Sequence, residues 1–152
     1  LSFYLLKAQN SEECLQNLSI FAEYDKVKNY NEAYEQWMKV RSECPKLNVA
    51  IYSYGERILK ERIKNLSPQE AEAVKIDLMK LYDEWILNFP TKRNILVVGD
   101  ILSSKAQSML DYKIADKEEV YKIFDEAYRR DARSFTNPKE LYNYFKTYYQ
   151  LY

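Results

Sequence analysis

Residues 14–45, CLQNLSIFAEYDKVKNYNEAYEQWMKVRSECP, decide the fold class. From Asn17 to Asn29 apolar side chains recur at Leu18, Phe21 and Tyr24, with Ile20 and Val27 broadening the stripe. That is the spacing of one helix face. The Asn29-Tyr30-Asn31 step reads as a short turn in which Asn31 caps a second helix, and Glu32 in its first turn favours the positive end of the dipole. Ala33, Tyr34, Trp37 and Val40 form that helix's buried stripe. Pro45, which has no N–H to donate, stops it. Two amphipathic helices joined by so short a turn fold back on each other as a hairpin.

The same grammar continues outward. Ile51, Tyr54, Gly55 and Ile58 mark a helix face, with Tyr52 and Leu59 beside it. Ser67-Pro68-Gln69-Glu70 starts the next helix, with Ser67 as N-cap, Pro68 in the first turn and Glu70 completing a capping box. Val74, Leu78, Leu81, Tyr82 and Trp85 line it as far as Pro90. A third pair is expected over Asn94–Asp111 and Lys117–Asp131. Ile95–Val98 alone is compatible with a strand, but Gly99 and the run Leu102, Ala106, Met109 favour a helix. Asp116 caps the partner helix, where Val120, Phe124 and Ala127 align. Asn137-Pro138 opens a last helix through Leu141, Tyr142, Phe145, Tyr148 and Tyr149, which either caps the stack or continues into further sequence.

Composition agrees. The 152 residues hold Gly 2 and Pro 4, too few turn-formers for a sandwich or barrel of many short strands. Lys+Arg and Asp+Glu are both 23, and a net charge of zero argues against nucleic acid or an anionic membrane as the partner. No run of about 18 apolar residues exists to span a bilayer. His is absent, which removes the commonest general base, the commonest metal ligand and every Ser-His or Cys-His arrangement. The expectation is therefore no enzyme, no cofactor and no metal. The acidic groups Glu12-Glu13 and Asp116-Glu118-Glu119 sit at helix starts rather than on the glycine-bearing loop that a hard cation needs. Ser103-Ser104-Lys105 lacks the Ser-x-x-Lys spacing of Ser-Lys hydrolases.

Cys14 and Cys44 would lie at the same open end of the first hairpin, within bridging reach. A disulfide there closes a loop of about 30 residues, contributes roughly 3 kcal/mol, and implies an oxidising compartment. The alternative is two buried thiols packing as small hydrophobes. Residues 1–10, LSFYLLKAQN, have two readings as well: the remnant of a signal peptide ending near Ala8, or a terminal helix of a preceding repeat. Residues 1–13 are accordingly set apart as an N-terminal extension. The chain begins at Leu1 without Met and stops at Tyr152 inside an aromatic pattern, which reads as a piece of a longer protein.

The pattern repeats. Trp37-x-x-Val40-x-x-x-x-Pro45 recurs as Tyr82-x-x-Trp85-x-x-x-x-Pro90, and again, without the proline, as Phe124-x-x-Ala127-x-x-x-x-Ala132. On these residues the chain resembles the tetratricopeptide-repeat family, whose unit is a helix-turn-helix of about 34 residues. Tyr24, Ala33, Trp37, Val40 and Pro45 fall at that family's spacing. Phe21 departs from its usual small residue, Gly55 supplies one in the second repeat, and Ala106 does so in the third. The resemblance implies an all-α solenoid with repeats at 14–47, 48–90 and 94–132 and a final helix at 137–152. The strings LQNLSIFAEYDKVKNYNEAYEQWMKVRSECPKLNVAIYSYGERILK and FPTKRN…DYKIADKEEVYKIFDEAYRRD also resemble exported repeat proteins of Bacteroidota. That likeness implies a periplasmic or envelope location and suits a Cys14–Cys44 bridge.

By analogy with the family, positions facing a protein or peptide partner fall at Asp25 and Lys26, at Tyr52, Glu56 and Lys60, and at Ser103 and Gln107. The alternative for all seven is a solvated helix face. Among the 15 tyrosines, Tyr24, Tyr34, Tyr54 and Tyr82 read as core. The C-terminal set Tyr142, Tyr144, Tyr148, Tyr149 and Tyr152 covers more than one helix face, so some of it is exposed or meets a partner; Tyr144 and Tyr148 are taken as its contact residues. The expected role is a protein-binding scaffold, with a permanent subunit of a large envelope assembly as the alternative. The oligomeric state is left open.

Overall fold

The computed structural model describes the backbone of residues 2–152 and the side chains of residues 10–152. Among these, seven helices run as sequential antiparallel pairs: α1 (Ser2–Lys26), α2 (Tyr30–Glu43), α3 (Ala50–Asn65), α4 (Pro68–Asn88), α5 (Val98–Asp111), α6 (Lys117–Asp131) and α7 (Pro138–Leu151). Two short strands, β1 (Thr91–Lys92) and β2 (Ile95–Leu96), lie between α4 and α5. The chain forms two compact units that divide within α4, the first ending at Leu81 and the second beginning at Tyr82.

In the first unit α1 packs on α2, α2 on α3, and α1 also reaches α3. Residues 2–13 of the expected extension are part of α1. The side chains of residues 1–9, on which the signal-peptide reading rests, lie outside the described residues. Lys28 ends the helix in the left-handed region at φ 56°, while the Asn29 N–H reaches back to the Tyr24 carbonyl at 2.8 Å. This is the hydrogen bond of a C-terminal cap made without glycine. The second helix consequently starts at Tyr30, one residue before the expected cap, and Asn31 lies inside its first turn. Ile20 and Val27 do not belong to the buried stripe; both are exposed, and among the described residues of α1 it is Cys14 and Phe21 that are buried against its neighbours.

The α2–α3 crossing is built on Trp37 and Gly55. A Cβ on Gly55 would stand 2.5 Å from Trp37 Cζ2, so only glycine lets the indole lie this close. The Trp37 Nε1–H donates to the Ile51 carbonyl at 2.6 Å, which satisfies a buried polar atom. Arg41 lies over the same indole, 5.1 Å from its centroid, and pairs with Asp77 of α4 at 2.9 Å. Ala33, Val40, Ile51, Ile58 and Leu78 complete the core. Before α4 the capping box forms as read. Ser67 N–H and Oγ both donate to Glu70 Oε2, and these bonds, the hydroxyl's first, hold the Glu70 carboxyl below its ordinary range.

Cys14 and Cys44 are joined in a disulfide, with Cα atoms 6.4 Å apart. It ties the body of α1 to the end of α2, where Pro45 stops the helix.

In the second unit α5 packs on α6, α6 on α7, and α5 also reaches α7. The helix expected from Asn94 begins only at Val98. Ile95 and Leu96 instead pair with Lys92 and Thr91 in an antiparallel hairpin. Arg93 and Asn94 make this possible by adopting φ 52° and 63°, the left-handed pair that a two-residue hairpin turn demands. Gly99 sits where a Cβ would collide with the Asp131 carbonyl oxygen, so α5 meets the end of α6 by direct backbone approach. Asp131 accepts from the Gly99 N–H at 3.1 Å and from the Ser134 hydroxyl, and Ser134 Oγ accepts from the Asp100 N–H at 2.9 Å. These bonds satisfy donors that every helix N-terminus leaves open. Asp116 and Asn137 cap α6 and α7 as expected.

Two outcomes test this packing. Gly55→Ala is expected to lower stability by about 1–3 kcal/mol through overpacking against Trp37, more than the ~1 kcal/mol of helix propensity it gains; urea denaturation of the two proteins measures it. The unfolded, unreduced chain is expected to show no free thiol, and Cys14→Ser/Cys44→Ser to unfold with a loss of roughly 3 kcal/mol.

Candidate docking surface

The residues proposed from sequence fall into two groups, one in each unit. In the first, Asp25 of α1 is gripped from both oxygens by Arg57 of α3, Nε to Oδ1 at 3.0 Å and Nη2 to Oδ2 at 2.7 Å. The same guanidinium lies 4.5 Å from the Tyr54 ring centroid. Its hydrogen bond to Asp25 is the main cause that raises the Arg57 pKa. A bidentate pair of this kind is geometrically specific. Here it clamps α1 to α3, so Asp25 is a structural contact. Lys26 pairs with Glu23 at 2.6 Å, and Lys60 with Glu56 at 2.6 Å, along their own helices. Tyr52 is fully buried and donates its hydroxyl to the Pro45 carbonyl at 2.8 Å, so it is a core residue and not an anchor for a partner. Arg57, the residue that organises this face, escaped the sequence reading because its partner is 32 residues away.

In the second unit Ser103 and Gln107 are likewise buried, and α7 is the reason. Ser103 Oγ donates to Glu140 Oε2 at 2.6 Å, and Ser104 Oγ donates to Glu140 Oε1 at 3.1 Å. Gln107 Oε1 accepts from Asn143 at 2.7 Å, and its Nε2 donates to Asp111 at 2.8 Å. Lys139 reaches Asp111 at 3.5 Å. A row of polar side chains along α5 is thus matched by a row along α7. The polar positions Ser103 and Gln107, read as partner-facing, are filled by the chain itself through α7.

Tyr144 is the centre of the α6–α7 contact. Its ring lies within 6.1 Å of those of Tyr121, Phe124, Tyr128, Phe135 and Phe145, and its hydroxyl donates to Asp125 at 2.7 Å. Arg129 holds the other Asp125 oxygen at 2.6 Å. Burial first, then the hydrogen bond to Asp125 and that carboxylate's charge, push the Tyr144 pKa well above the ordinary 10.0.

What remains uncovered is the opposite side of the same helix. Glu140, Tyr144, Thr147 and Leu151 face inward, whereas Tyr142, Phe145, Tyr148, Tyr149 and Tyr152 are exposed, the last two by 85% and 82%. At 100° per residue these five rings fall in one arc of about 120° that Leu141 completes. Tyr148 and Tyr152 are in ring contact with each other and with Tyr121, so the stripe continues onto α6. With ~200 Å² per ring, their exposed fraction comes to about 700 Å². That exceeds the ~300–600 Å² of the largest apolar patch on an ordinary monomer. Of the two tyrosines taken from sequence as contact residues, Tyr148 lies on it and Tyr144 does not; Tyr142, Tyr149 and Tyr152 of the same C-terminal set lie on it as well. Phe145 was read only as one of the apolar residues of the last helix; the signal for this side was the recurrence of aromatics at 142, 145, 149 and 152.

Among the described residues, no group of three or more His, Cys, Asp or Glu side chains is arranged to hold a metal ion, and no helix is long and apolar enough to cross a membrane. The chain matches no protein-family model, no curated protein and no solved structure.

Because the folded pKa of Tyr144 lies above that of the unfolded chain, the stability tied to its neutral hydroxyl is complete below pH ~10 and drains away as pH rises past it. The urea midpoint is expected to fall as pH rises above about 10, and Tyr144→Phe to flatten part of that fall while costing about 1 kcal/mol at neutral pH for the lost hydrogen bond.

Proposed function

We propose that this chain is a non-catalytic protein-interaction module of the tetratricopeptide-like kind, exported to the bacterial cell envelope, that holds a partner protein on the outer face of α7. The observation that carries the reading is the aromatic stripe of α7, about 700 Å² of ring surface on a helix whose other side is already packed. One side of an ordinary specific interface buries ~800 Å². Tyrosines suit such a surface, since the ring buries area while the hydroxyl stays hydrated.

Further features support it. The helices run as sequential antiparallel pairs, and Trp37, Tyr82 and Phe124, the aromatic positions of the repeated pattern, are all fully buried. The Cys14–Cys44 disulfide suits an oxidising compartment. Balanced charge argues for a protein or peptide partner over nucleic acid. Among the seven positions first assigned to the partner, Tyr52, Ser103 and Gln107 are buried and Asp25 is clamped by Arg57, which favours α7 over that set as the docking face.

A second reading, a permanent subunit of a large envelope assembly, draws on the same stripe: rings this exposed and this contiguous resemble the apolar surfaces that obligate subunits bury. Affinity capture from the source cells separates the readings. The wild-type chain is expected to retain a protein that the variant Phe145→Ser/Tyr149→Ser loses and that Lys64→Ser, far from α7 in sequence and exposed, retains. Release of that protein on dilution marks a reversible module, and its persistence marks a permanent subunit. Equal recovery with both variants removes α7 as the docking face.

A further inference from the structure

The first unit is tied across its helices by the Cys14–Cys44 disulfide, whereas residues 82–152 contain no cysteine. The second unit holds instead a cluster of tyrosines where α6 meets α7. Tyr121 of α6 is its hub. Its ring centroid lies 5.7 Å from that of Tyr144, 5.8 Å from Tyr148 and 6.2 Å from Tyr152. Tyr148 and Tyr152 stand one turn apart on α7, with centroids 5.2 Å apart.

Phenols held this close have a chemistry that phenylalanines lack. A one-electron oxidant takes an electron from each ring, and each hydroxyl proton passes to water. The two phenoxyl radicals join through carbons ortho to their oxygens. The hydrogens on those two carbons then move to the oxygens. Both phenols are restored, a carbon–carbon bond joins them, and the pair has lost two hydrogens in all. Such coupling requires two tyrosines in contact, access for the oxidant, and freedom for one ring to turn its edge toward the other.

The contacts of Tyr121 differ in that freedom. Tyr144 stacks on it at 21°, but Tyr144 is enclosed by five rings and its hydroxyl is bonded to Asp125 at 2.7 Å. A ring so packed does not swing. Tyr152 is the farthest of the three and crosses Tyr121 at 68°. Tyr148 is inclined at 38° and is 50% exposed, so an oxidant reaches it and its solvent side leaves room to turn. Tyr152 competes with Tyr121 for Tyr148. Tyr121, however, touches all three other tyrosines of the cluster, so a radical formed on any of them is one ring contact away from it.

We propose that Tyr121 and Tyr148 form an oxidative coupling site, whose dityrosine product staples α6 to α7 and gives the second unit the cross-link that the disulfide gives the first. The co-reactant is a one-electron oxidant of the peroxidase class, two equivalents being consumed for each bond. Tyr121 and Tyr148 lie about as far apart in sequence as the two cysteines, whose separation is 30. The new bond therefore closes a loop of similar length and restricts the unfolded chain in the same way. The disulfide itself suits oxidising surroundings. A carbon–carbon bond formed there, unlike the disulfide, is not reversed by thiols. The site is separate from the docking role, since Phe145 and Tyr149 take no part in it.

Oxidation of the dilute, disulfide-bonded chain by a haem peroxidase and hydrogen peroxide tests it; each peroxide takes up the two electrons and two protons and leaves as water. The expected product is a monomer lighter by two hydrogens, with dityrosine fluorescence, that yields on digestion a thiol-resistant linked peptide carrying Tyr121 and Tyr148. Its urea midpoint is expected to lie above that of the unoxidised chain. Tyr121→Phe and Tyr148→Phe keep their rings, and each is expected to lose the linked peptide while its helix content confirms the fold. Tyr152→Phe is expected to retain it. In concentrated urea, where the ring contacts are gone, the yield is expected to drop severalfold. No coupled product, coupling only between molecules, a link from Tyr148 to Tyr152 in place of Tyr121, an undiminished yield in urea, or a midpoint that does not rise would each overturn the inference.

Discussion

Trp37 pressed against the bare backbone of Gly55 is the contact on which the first unit depends. The indole nitrogen donates to the Ile51 carbonyl, so the ring is fixed in position as well as in depth. That sets how closely α3 approaches α2 and which way it is turned. Once α3 is so turned, Arg57 faces Asp25 on α1, Tyr52 stands beneath the Pro45 carbonyl, and Arg62 covers Tyr34. The bidentate pair and the buried hydroxyl bond are consequences of a helix crossing made possible by one missing side chain. The disulfide holds the other end of the same hairpin and acts largely on the unfolded chain, by closing a long loop.

The second unit meets the same problem by a different route. Gly99 also removes a Cβ from a crossing, but what comes close is the Asp131 carbonyl rather than a ring. The Asp131 carboxylate and Ser134 then supply acceptors to the first N–H groups of α5. Here a helix end is buried with its donors satisfied from another helix, the condition for burying it at all. With α5 anchored, its serines and Gln107 are lined up for α7, and the polar match between the two helices decides which side of α7 turns inward. The aromatic side is left outside as a result.

Much of this was legible along the chain. The helix stripes around Phe21, Trp37, Ile58 and Phe124, the capping residues Ser67, Asp116 and Asn137, and the stop at Pro45 are local signals. Each depends on periodicity or on a side chain reaching its own neighbouring backbone. Positions where the reading went astray are those whose outcome hangs on a distant partner. Ser103 and Gln107 look like surface polar residues until Glu140 and Asn143 meet them. Asp25 looks open until Arg57 closes on it. Ile95 and Leu96 look like a helix start until Arg93 and Asn94 adopt left-handed backbone, which their residue types permit without announcing.

The amino-acid order alone determined that this protein is helical, where most of its helices begin and end, and that two cysteines stand at one end of a hairpin. These follow from hydrogen bonds and stripes confined to a few turns. Only the tertiary structure decided which apolar face of each helix is spent on the core. A helix with aromatics on both sides, as α7 has, offers two equivalent faces to its neighbours. The choice between them fell to the buried polar pairs with α5, because an unmatched Ser103 or Glu140 costs more in the interior than an exposed tyrosine costs in water.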